Sequence, residues 1–181
     1  MKTVDITCVP SLKDVVVYSP AIYSDHRGYF KEIYNKTNEY PFVPIQQNVS
    51  FSKKGTLRGL HFQNPKPQAK LVTVIKGKIL DVIVDLRKRS YSFSKHESFI
   101  LSEDNGKQLY VPRGYAHGFL ALEDSYVKYD CDRYYKPEYE HTLLYSDFNL
   151  GIKWDYLTED QLLISEKDKN GKSLLQFSEL F

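Results

Sequence analysis

The chain has 181 residues, a length that suggests one domain of about 100–200 residues, and 41% of them are hydrophobic. Its 25 basic and 23 acidic residues leave a net charge of +2, which argues against a protein that binds nucleic acid through a basic face. No apolar run reaches the ~18 residues of a membrane span, and the first twenty residues lack the pattern of a signal peptide. Two cysteines, Cys8 and Cys131, are too few for a disulfide framework, so we expect a reduced, cytoplasmic protein with a single domain over residues 1–181.

Short segments of alternating or β-rich sequence dominate the chain. One short helix is predicted over residues 31–39. Segments 70–76 and 78–86 then flank Gly77 and predict a tight hairpin. Further short strands are predicted at residues 108–111, 119–122, 126–129, 143–145 and 152–154. Short strands with frequent turn residues, such as Pro112-Arg113-Gly114, indicate a sandwich or barrel rather than a βαβ sheet.

The last part of the chain carries one helix signal and a tail. Residues 158–161, Thr-Glu-Asp-Gln, have capping-box spacing and predict a second short helix. The tail from Ser165 to Phe181 is polar but contains Leu-Leu-Gln-Phe, so we expect it to dock on the body of the protein.

Common catalytic signatures are missing from the sequence, including a phosphate-binding glycine loop, a GxSxG elbow and an HExxH helix. The residues suited to chemistry cluster instead in segments 56–70, 111–119 and 165–168. Arg58 and His61 lie three apart around Gly59; on a regular strand they face opposite sides, but a glycine can bend or bulge the chain. Lys70 opens an apolar strand, where a buried amine needs an anionic partner.

Spacing of the second cluster is typical of the second cupin motif. The matching residues are Gly106, Pro112, Gly114 and His117, whereas the usual asparagine is Ala121. The first cupin motif normally supplies His-x-His, but here it reads His61-Phe62-Gln63. Losing one histidine makes a three-histidine metal site unexpected, so we predict no metal or other cofactor and histidines available for acid–base work.

Eight segments, in order and at suitable spacing, together resemble the dTDP-4-dehydrorhamnose 3,5-epimerase family from about residue 4 to residue 173. They are DHRGYFKE (25–32), QQNVS (46–50), LRGLHFQ (57–63), QAKLV (68–72), DVIVDLR (81–87), PRGYAHGF (112–119), YYKP (134–137) and SEKD (165–168). The resemblance implies an all-β fold: a cupin-type double-stranded β-helix (jelly-roll) barrel with a few short peripheral helices.

The resemblance also implies an activity, the inversion of carbons 3 and 5 of a nucleotide-diphospho-4-keto-6-deoxy sugar through an enolate, in deoxysugar supply for surface polysaccharide. By this resemblance His61 is the base and Asp168 holds its other ring nitrogen. Lys70 stabilises the enolate oxygen, and Tyr129 returns a proton on the opposite face of the ring. Without the resemblance, Asp168 would be interpreted as a surface carboxylate and Tyr129 as a strand aromatic.

Substrate contacts are implied in the same way. Arg27 and Arg58 match residues that hold the diphosphate, since the guanidinium presents forked donors to phosphate. The other implied substrate-binding residues are Glu32, Gln46, Gln47, Asn48, His117, Glu140 and Lys167. Gln47 would contact the substrate or a neighbouring residue through its backbone, and His117 could equally brace the wall of the pocket. The family is a homodimer whose N-terminal segment crosses between subunits, so Arg27 of one subunit would serve the cleft of the other.

Several positions depart from the family pattern and leave the substrate open. Val49 stands where a histidine is common, and Asp130-Cys131-Asp132 replaces a lysine-rich segment. The sequence therefore leaves two nucleotides open, dTDP and GDP. A 3,4-ketoisomerase, a non-catalytic sugar-nucleotide-binding cupin and a metal-dependent cupin oxygenase remain as alternative functions.

Overall fold

A computed structural model describes residues 4–36, 40–177 and 179–181. Its strands are β1 (Val4–Cys8), β2 (Val16–Pro20), β3 (Ile22–Asp25), β4 (Gly28–Lys31), β5 (Gln46–Ser52), β6 (Thr56–Gln63), β7 (Lys70–Lys76), β8 (Lys78–Asp85), β9 (His96–Ser102), β10 (Gln108–Val111), β11 (Tyr115–Ala121), β12 (Ser125–Cys131), β13 (Glu140–Thr142) and β14 (Leu163–Ile164). Helical structure is limited to α1 (Glu166–Lys169) and to 3-10 turns at Pro137–Tyr139, Glu159–Gln161 and Leu174–Gln176. Across the described ranges, no helix is long and apolar enough to span a membrane.

Two sheets form the jelly roll. The first runs β1-β2-β10-β7-β12-β5, and the second runs β13-β6-β11-β8-β9, with β14 added in parallel to β6. The hairpin of β3 and β4 forms a separate two-stranded sheet. This arrangement confirms the predicted all-β jelly-roll class with short helices at its periphery.

Apolar side chains from both sheets make the inner core. Val72 and Val74 of β7 belong to the same buried cluster as Ile79 and Ile83 of β8 and Phe119 of β11. Each such side chain stabilises the fold by roughly 1.5–3 kcal/mol when fully buried. The alternate residues of β8 enter a second cluster on the other face of their sheet, so this strand is buried on both faces. Burial on two faces explains why its sequence is almost continuously apolar.

The C-terminal tail covers the outer face of the second sheet, which confirms the expected docking. Leu174 is buried there, and the Phe177 ring meets the Phe62 ring edge-on at 5.2 Å between centroids. The backbone is fixed as well: Leu174 N donates to Asp147 Oδ2 at 2.6 Å, and Lys88 N donates to Phe181 O at 2.6 Å.

The predicted hairpin at Gly77 is wrong. β7 pairs with β10 and β12, whereas β8 pairs with β9 and β11, so Gly77 carries the chain from one sheet to the other. Gly77 has φ +84°, and a Cβ there would lie 2.3 Å from the Asp124 carbonyl oxygen. Both strands are largely apolar, and each is hydrogen-bonded to a neighbouring strand on both sides within its own sheet.

Other element predictions have mixed outcomes. The strand at 108–111 is confirmed with its bounds, and those at 119–122 and 126–129 overlap the longer β11 and β12. The capping box at residues 158–161 is confirmed, although it begins a single 3-10 turn rather than an α-helix. In it, Thr158 N donates to Gln161 Oε1 at 3.1 Å.

Three predicted elements are wrong. Residue 143 makes only an isolated bridge to Lys172, and 152–154 is a loop in which the Trp154 indole N–H donates to Tyr145 O at 2.9 Å. Lys31 ends β4 and residues 32–36 contain no helix; the remainder of the predicted 31–39 helix, residues 37–39, lies outside the described residues.

Gly77→Ala should destabilise the protein much more than Gly151→Ala. Gly151 also has a positive φ of +62°, but its missing Cβ would contact nothing within 4 Å. Gly151→Ala should therefore cost only the left-handed strain of about 1–2 kcal/mol. Gly77→Ala should add ~1–3 kcal/mol for the clash with the backbone at residues 124–125. Urea unfolding of the two variants measures the difference, and equal losses would contradict this account of the crossing.

Candidate active site

A β-bulge at Gly59 shapes the floor of the site. His61 of β6 pairs with His117 of β11 and Arg58 pairs with Phe119, so three residue steps along β6 face two along β11. The extra residue lets Arg58 and His61 line one cleft, although residues three apart on a regular strand would face opposite sides. Gly59 has φ +102°, and a Cβ would lie 2.7 Å from the His117 carbonyl oxygen, which explains the glycine.

His61 is paired with Asp168. Its Nε2 lies 2.6 Å from Asp168 Oδ1, and Asp168 Oδ2 accepts a hydrogen bond from Gly59 N at 3.2 Å. Asp168 is only 3% exposed, so the interpretation as a surface carboxylate is wrong. Burial alone would raise the pKa of Asp168, but its hydrogen bond and electrostatic interaction with the His61 ring, together with hydrogen bonds from Gly59 N and Ser165, hold the pKa below 3.8.

Local structure in the tail brings Asp168 to this position. β14 runs parallel to β6, with Leu163 opposite Thr56 and Ile164 opposite Leu57, so the tail travels beside the strand that carries His61. Ser165 then caps α1 by accepting a hydrogen bond from Asp168 N at 3.1 Å. The carboxylate is therefore held by its own backbone as well as by its partners.

A second histidine–carboxylate pair lies next to the first. His117 Nε2 is 2.8 Å from Asp81 Oδ2, and both side chains are buried. Burial raises the pKa of Asp81, although His117 and Lys70 oppose the shift, and Asp81 Oδ1 has no hydrogen-bond partner within the described residues. The sequence predicts no role for Asp81; the available signal was a carboxylate in the middle of the apolar run of β8.

Lys70 and Tyr129 both face this cleft from the first sheet. Lys70 is directly opposite Cys131 on β12, and burial lowers the pKa of its amine, partly countered by Cys131, Glu140 and Asp81. No ion pair to its Nζ is found in the described part of the chain, so the anionic partner predicted for Lys70 is not among these side chains. Burial raises the pKa of Tyr129 to about 12, while a 3.1 Å hydrogen bond with Ser50 Oγ pulls it the other way.

The cleft has a volume of about 630 Å³, including space open to solvent. Its lining includes Asn48, Arg58, His61, Lys70, His117, Tyr129 and Tyr135. A smaller adjoining cavity of about 400 Å³ extends the site towards Glu140. Glu140 accepts a hydrogen bond from Tyr135 Oη at 2.8 Å and forms an ion pair with Lys167. Most of the predicted site residues are thus brought together.

Alternate residues of β5 hold the site residues in place. Ser52 Oγ accepts a hydrogen bond from Arg58 Nε at 2.9 Å, and Ser50 contacts Tyr129. Gln46 Oε1 accepts from Tyr135 N at 2.8 Å, and Gln46 Nε2 donates to Asn48 Oδ1 at 3.1 Å. Side chains along a strand alternate between its faces, so residues 46, 48, 50 and 52 share one side. Gln47 points the other way and donates to Asp130 Oδ1 at 2.6 Å.

Arg27 and Glu32 are not brought to this cleft. Arg27 lies at the turn between β3 and β4, with its side chain 78% exposed and 2.6 Å from Asp25. Glu32 follows β4 and accepts a hydrogen bond from Asn35 Nδ2 at 3.1 Å. Neither residue lines the cavities around His61.

The arrangement is suited to proton transfer at two faces of one substrate. His61 belongs to the second sheet and Tyr129 to the first, so an imidazole and a phenol reach the cleft from different sheets. Arg58 and Lys70 add positive charge, which favours an anionic ligand. Among the described residues, no three His, Cys, Asp or Glu side chains are grouped to hold a metal ion.

Comparison with known proteins gives the family. Residues 10–176 match the family model described as dTDP-4-dehydrorhamnose 3,5-epimerase. The chain belongs to this epimerase family. A dTDP-4-dehydrorhamnose 3,5-epimerase from Methanothermobacter thermautotrophicus is 45% identical over 169 residues, which is 91% of each chain. This family membership confirms the resemblance seen in the eight sequence segments. It also confirms the predicted isomerase class.

Solved structures of epimerases share the fold. The dTDP-6-deoxy-D-glucose-3,5-epimerase from Legionella pneumophila, in complex with dTDP-4-keto-L-rhamnose, superposes with a TM-score of 0.90 and 37% identity, covering 96% of this chain and 94% of that one. The dTDP-4-dehydrorhamnose 3,5-epimerase from Bacillus anthracis, with TDP and PPi bound, has a TM-score of 0.86 and 40% identity, covering 94% and 99%.

Asp168→Asn should lower the free energy of unfolding by about 1.5–3 kcal/mol at neutral pH, because charge-assisted hydrogen bonds are lost from a buried group. The pKa of Asp168 is lower in the folded protein than its ordinary 3.8, so the ionised carboxylate stabilises the fold above that pH. This contribution disappears as the pH falls through the lower folded value. Urea unfolding at pH 7 and near pH 3 should show the gap between wild type and variant shrinking. The exposed Asp155→Asn change is the control, and a gap independent of pH would contradict the assignment.

Proposed function

We propose that this protein is a cofactor-independent 3,5-epimerase acting on a dTDP-linked 4-keto-6-deoxy sugar. One observation carries the proposal: the His61–Asp168 pair and Tyr129 enter a single cleft from different sheets, with Lys70 in the same lining. The dTDP-linked substrate is favoured over a GDP-linked one because the Legionella and Bacillus relatives are named with dTDP-4-keto-L-rhamnose and TDP bound.

The first half of the reaction is proton removal by His61. Carbons 3 and 5 flank the ketone at carbon 4, so breaking either C–H bond sends its electron pair to the carbon 4 oxygen and gives an enolate. The neutral imidazole takes the proton, and Asp168, within 2.6 Å, stabilises the imidazolium that forms. Lys70 supplies positive charge for the developing oxyanion, and fixed charges of this kind often lower the barrier more than any other single effect in an active site.

The second half of the reaction requires a different acid. If His61 returned its proton to the same face, the original configuration would be restored. Tyr129, on the other sheet, donates its phenol proton to the opposite face of the enolate carbon and inverts that centre. The placement of these two groups on different sheets therefore favours epimerisation over a 3,4-ketoisomerase, which moves a carbonyl without inverting carbon 5.

Binding of the diphosphate is assigned to Arg58, which lines the cleft and is oriented by Ser52. Its planar guanidinium can offer two parallel donors to phosphate oxygens. Asn48, His117, Glu140 and Lys167 lie around the same cleft or its extension and complete the proposed substrate contacts.

Solvent exchange tests the function directly. In deuterium oxide, the wild-type protein should place deuterium at carbons 3 and 5 of the dTDP-linked sugar, measured by NMR, and should act more slowly on a GDP-linked analogue. His61→Asn should reduce exchange at both carbons by at least ~100-fold, the usual contribution of a general base. His96→Asn, on the edge strand β9, is the matched control.

Three results would contradict the assignment. No exchange with any 4-keto sugar nucleotide would favour a binding protein, and a product carbonyl at carbon 3 would identify a ketoisomerase. Stoichiometric iron or zinc in the active protein would revive a metal-dependent cupin.

We infer that the working unit is a homodimer in which Arg27 of one subunit completes the cleft of the other. Arg27 lies outside its own cleft, on a hairpin whose Tyr23 and Phe30 are exposed. β5, which carries the site residues, is an edge strand with exposed Val49 and Phe51. Exposed apolar side chains of this kind are typical of interaction surfaces.

Mixing inactive variants tests this assembly. Arg27→Ala and His61→Asn subunits should each be impaired, but a heterodimer of the two has one cleft with both native residues. Refolding them together should restore up to about a quarter of wild-type activity, since half of randomly paired dimers are mixed and each has one intact cleft of two. Sedimentation as a monomer, or no recovery of activity on mixing, would argue against a cleft that is completed by Arg27 from the other subunit.

A further inference from the structure

Ser50 is the described side chain in hydrogen-bond contact with the phenol of Tyr129. Ser50 Oγ lies 3.1 Å from Tyr129 Oη, and either oxygen can be the donor. The serine belongs to β5, the edge strand of the first sheet, and is half-buried. Ser52, two residues on, is on the same side of the strand but is engaged by Arg58. The two serines therefore hold different parts of the site.

Proton donation by Tyr129 creates a problem that Ser50 is placed to solve. Once the phenol has released its proton, a phenolate is left in a partly buried position, where an unpaired charge is costly. The charge of Asp81 adds to that cost, whereas the positive charge of Arg58 partly offsets it. A serine hydroxyl can reverse its role, accepting a hydrogen bond from the phenol before transfer and donating one to the phenolate afterwards.

We propose that Ser50 is the positioning residue that aims the Tyr129 hydroxyl at the sugar and returns its proton from solvent. This inference rests on the proposed epimerase function. The Tyr129 Oη–H bond breaks as a C–H bond forms on the enolate carbon. Ser50 Oγ–H then passes its proton to the phenolate oxygen and regains one from water at the open edge of β5. For each proton removed by His61 and released, one proton enters from solvent, so charge and atoms balance.

Serine fits this role because of its length and its place on the strand. Residue 50 pairs through its backbone with Val127, two residues before Tyr129, so the short side chain reaches the phenol oxygen rather than the ring. Its neighbours Val49 and Phe51 face away from the cleft and are exposed, so the hydroxyl is the polar group that residues 49–51 present to Tyr129.

The test compares Ser50→Ala, Ser50→Thr and Tyr129→Phe in deuterium oxide. Ser50→Ala should slow net inversion roughly tenfold or more, the effect of losing one hydrogen bond to a charged group, while exchange at the His61 face and KM change much less. Ser50→Thr keeps a hydroxyl and should recover most of the rate. Ser98→Ala, a serine on the opposite edge strand β9, is the matched control and should be unchanged.

A double variant separates this role from a structural one. If Ser50 acts through the phenol, adding Ser50→Ala to Tyr129→Phe should cause no further loss of inversion, whereas an independent packing effect would add. Two results would overturn the role of Ser50 while leaving the epimerase function in place, provided that the wild type is active. One is a Ser50→Ala variant with unimpaired inversion, and the other is a double variant in which the two losses add. An absence of exchange in the wild type would overturn the epimerase function and this inference with it.

Discussion

The hydrogen bond between His61 and Asp168 is the interaction on which the site depends. It joins residues 107 positions apart and brings a carboxylate from the C-terminal tail against a strand in the middle of the chain. The tail can reach this position because β14 adds to β6 and because Leu174 and Phe177 pack on the outer face of the sheet. The apolar packing of the tail, which has no chemical role, therefore fixes the orientation of the proposed base.

Strand geometry accounts for most of the remaining arrangement. The period of two along β5 places its even-numbered residues from 46 to 52 on one side of the strand, from which Asn48 lines the cleft. The bulge at Gly59 adds Arg58 to the face that carries His61. The two packed sheets then supply opposing walls. Inversion of a carbon centre needs chemistry at two faces, and a two-sheet fold provides separate surfaces for the base and for the acid.

The same cleft contains buried charge that a purely structural core would avoid. Asp81 is fully buried, and within the described part of the chain one of its oxygens has no hydrogen-bond partner and Lys70 has no ion-pair partner. Such groups are costly to bury, and perturbed groups of this kind concentrate at functional sites. In an epimerase, a substrate that develops negative charge at its carbonyl oxygen would supply the direct ion-pair partner that the described side chains do not give to Lys70.

The local sequence determined the all-β class, the strand at 108–111, the docking of the tail and, through family resemblance, the residue types of the site. Periodicity could not decide which strands pair, because β7 and β8 are apolar throughout and look alike whether they form a hairpin or belong to different sheets. Nor could it show that Asp168 is buried against His61, that Asp81 pairs with His117, or that Ser50 meets Tyr129. Alternation and turn chemistry act over a few residues, whereas these contacts depend on strand register and sheet packing between distant segments. Only the tertiary structure sets those.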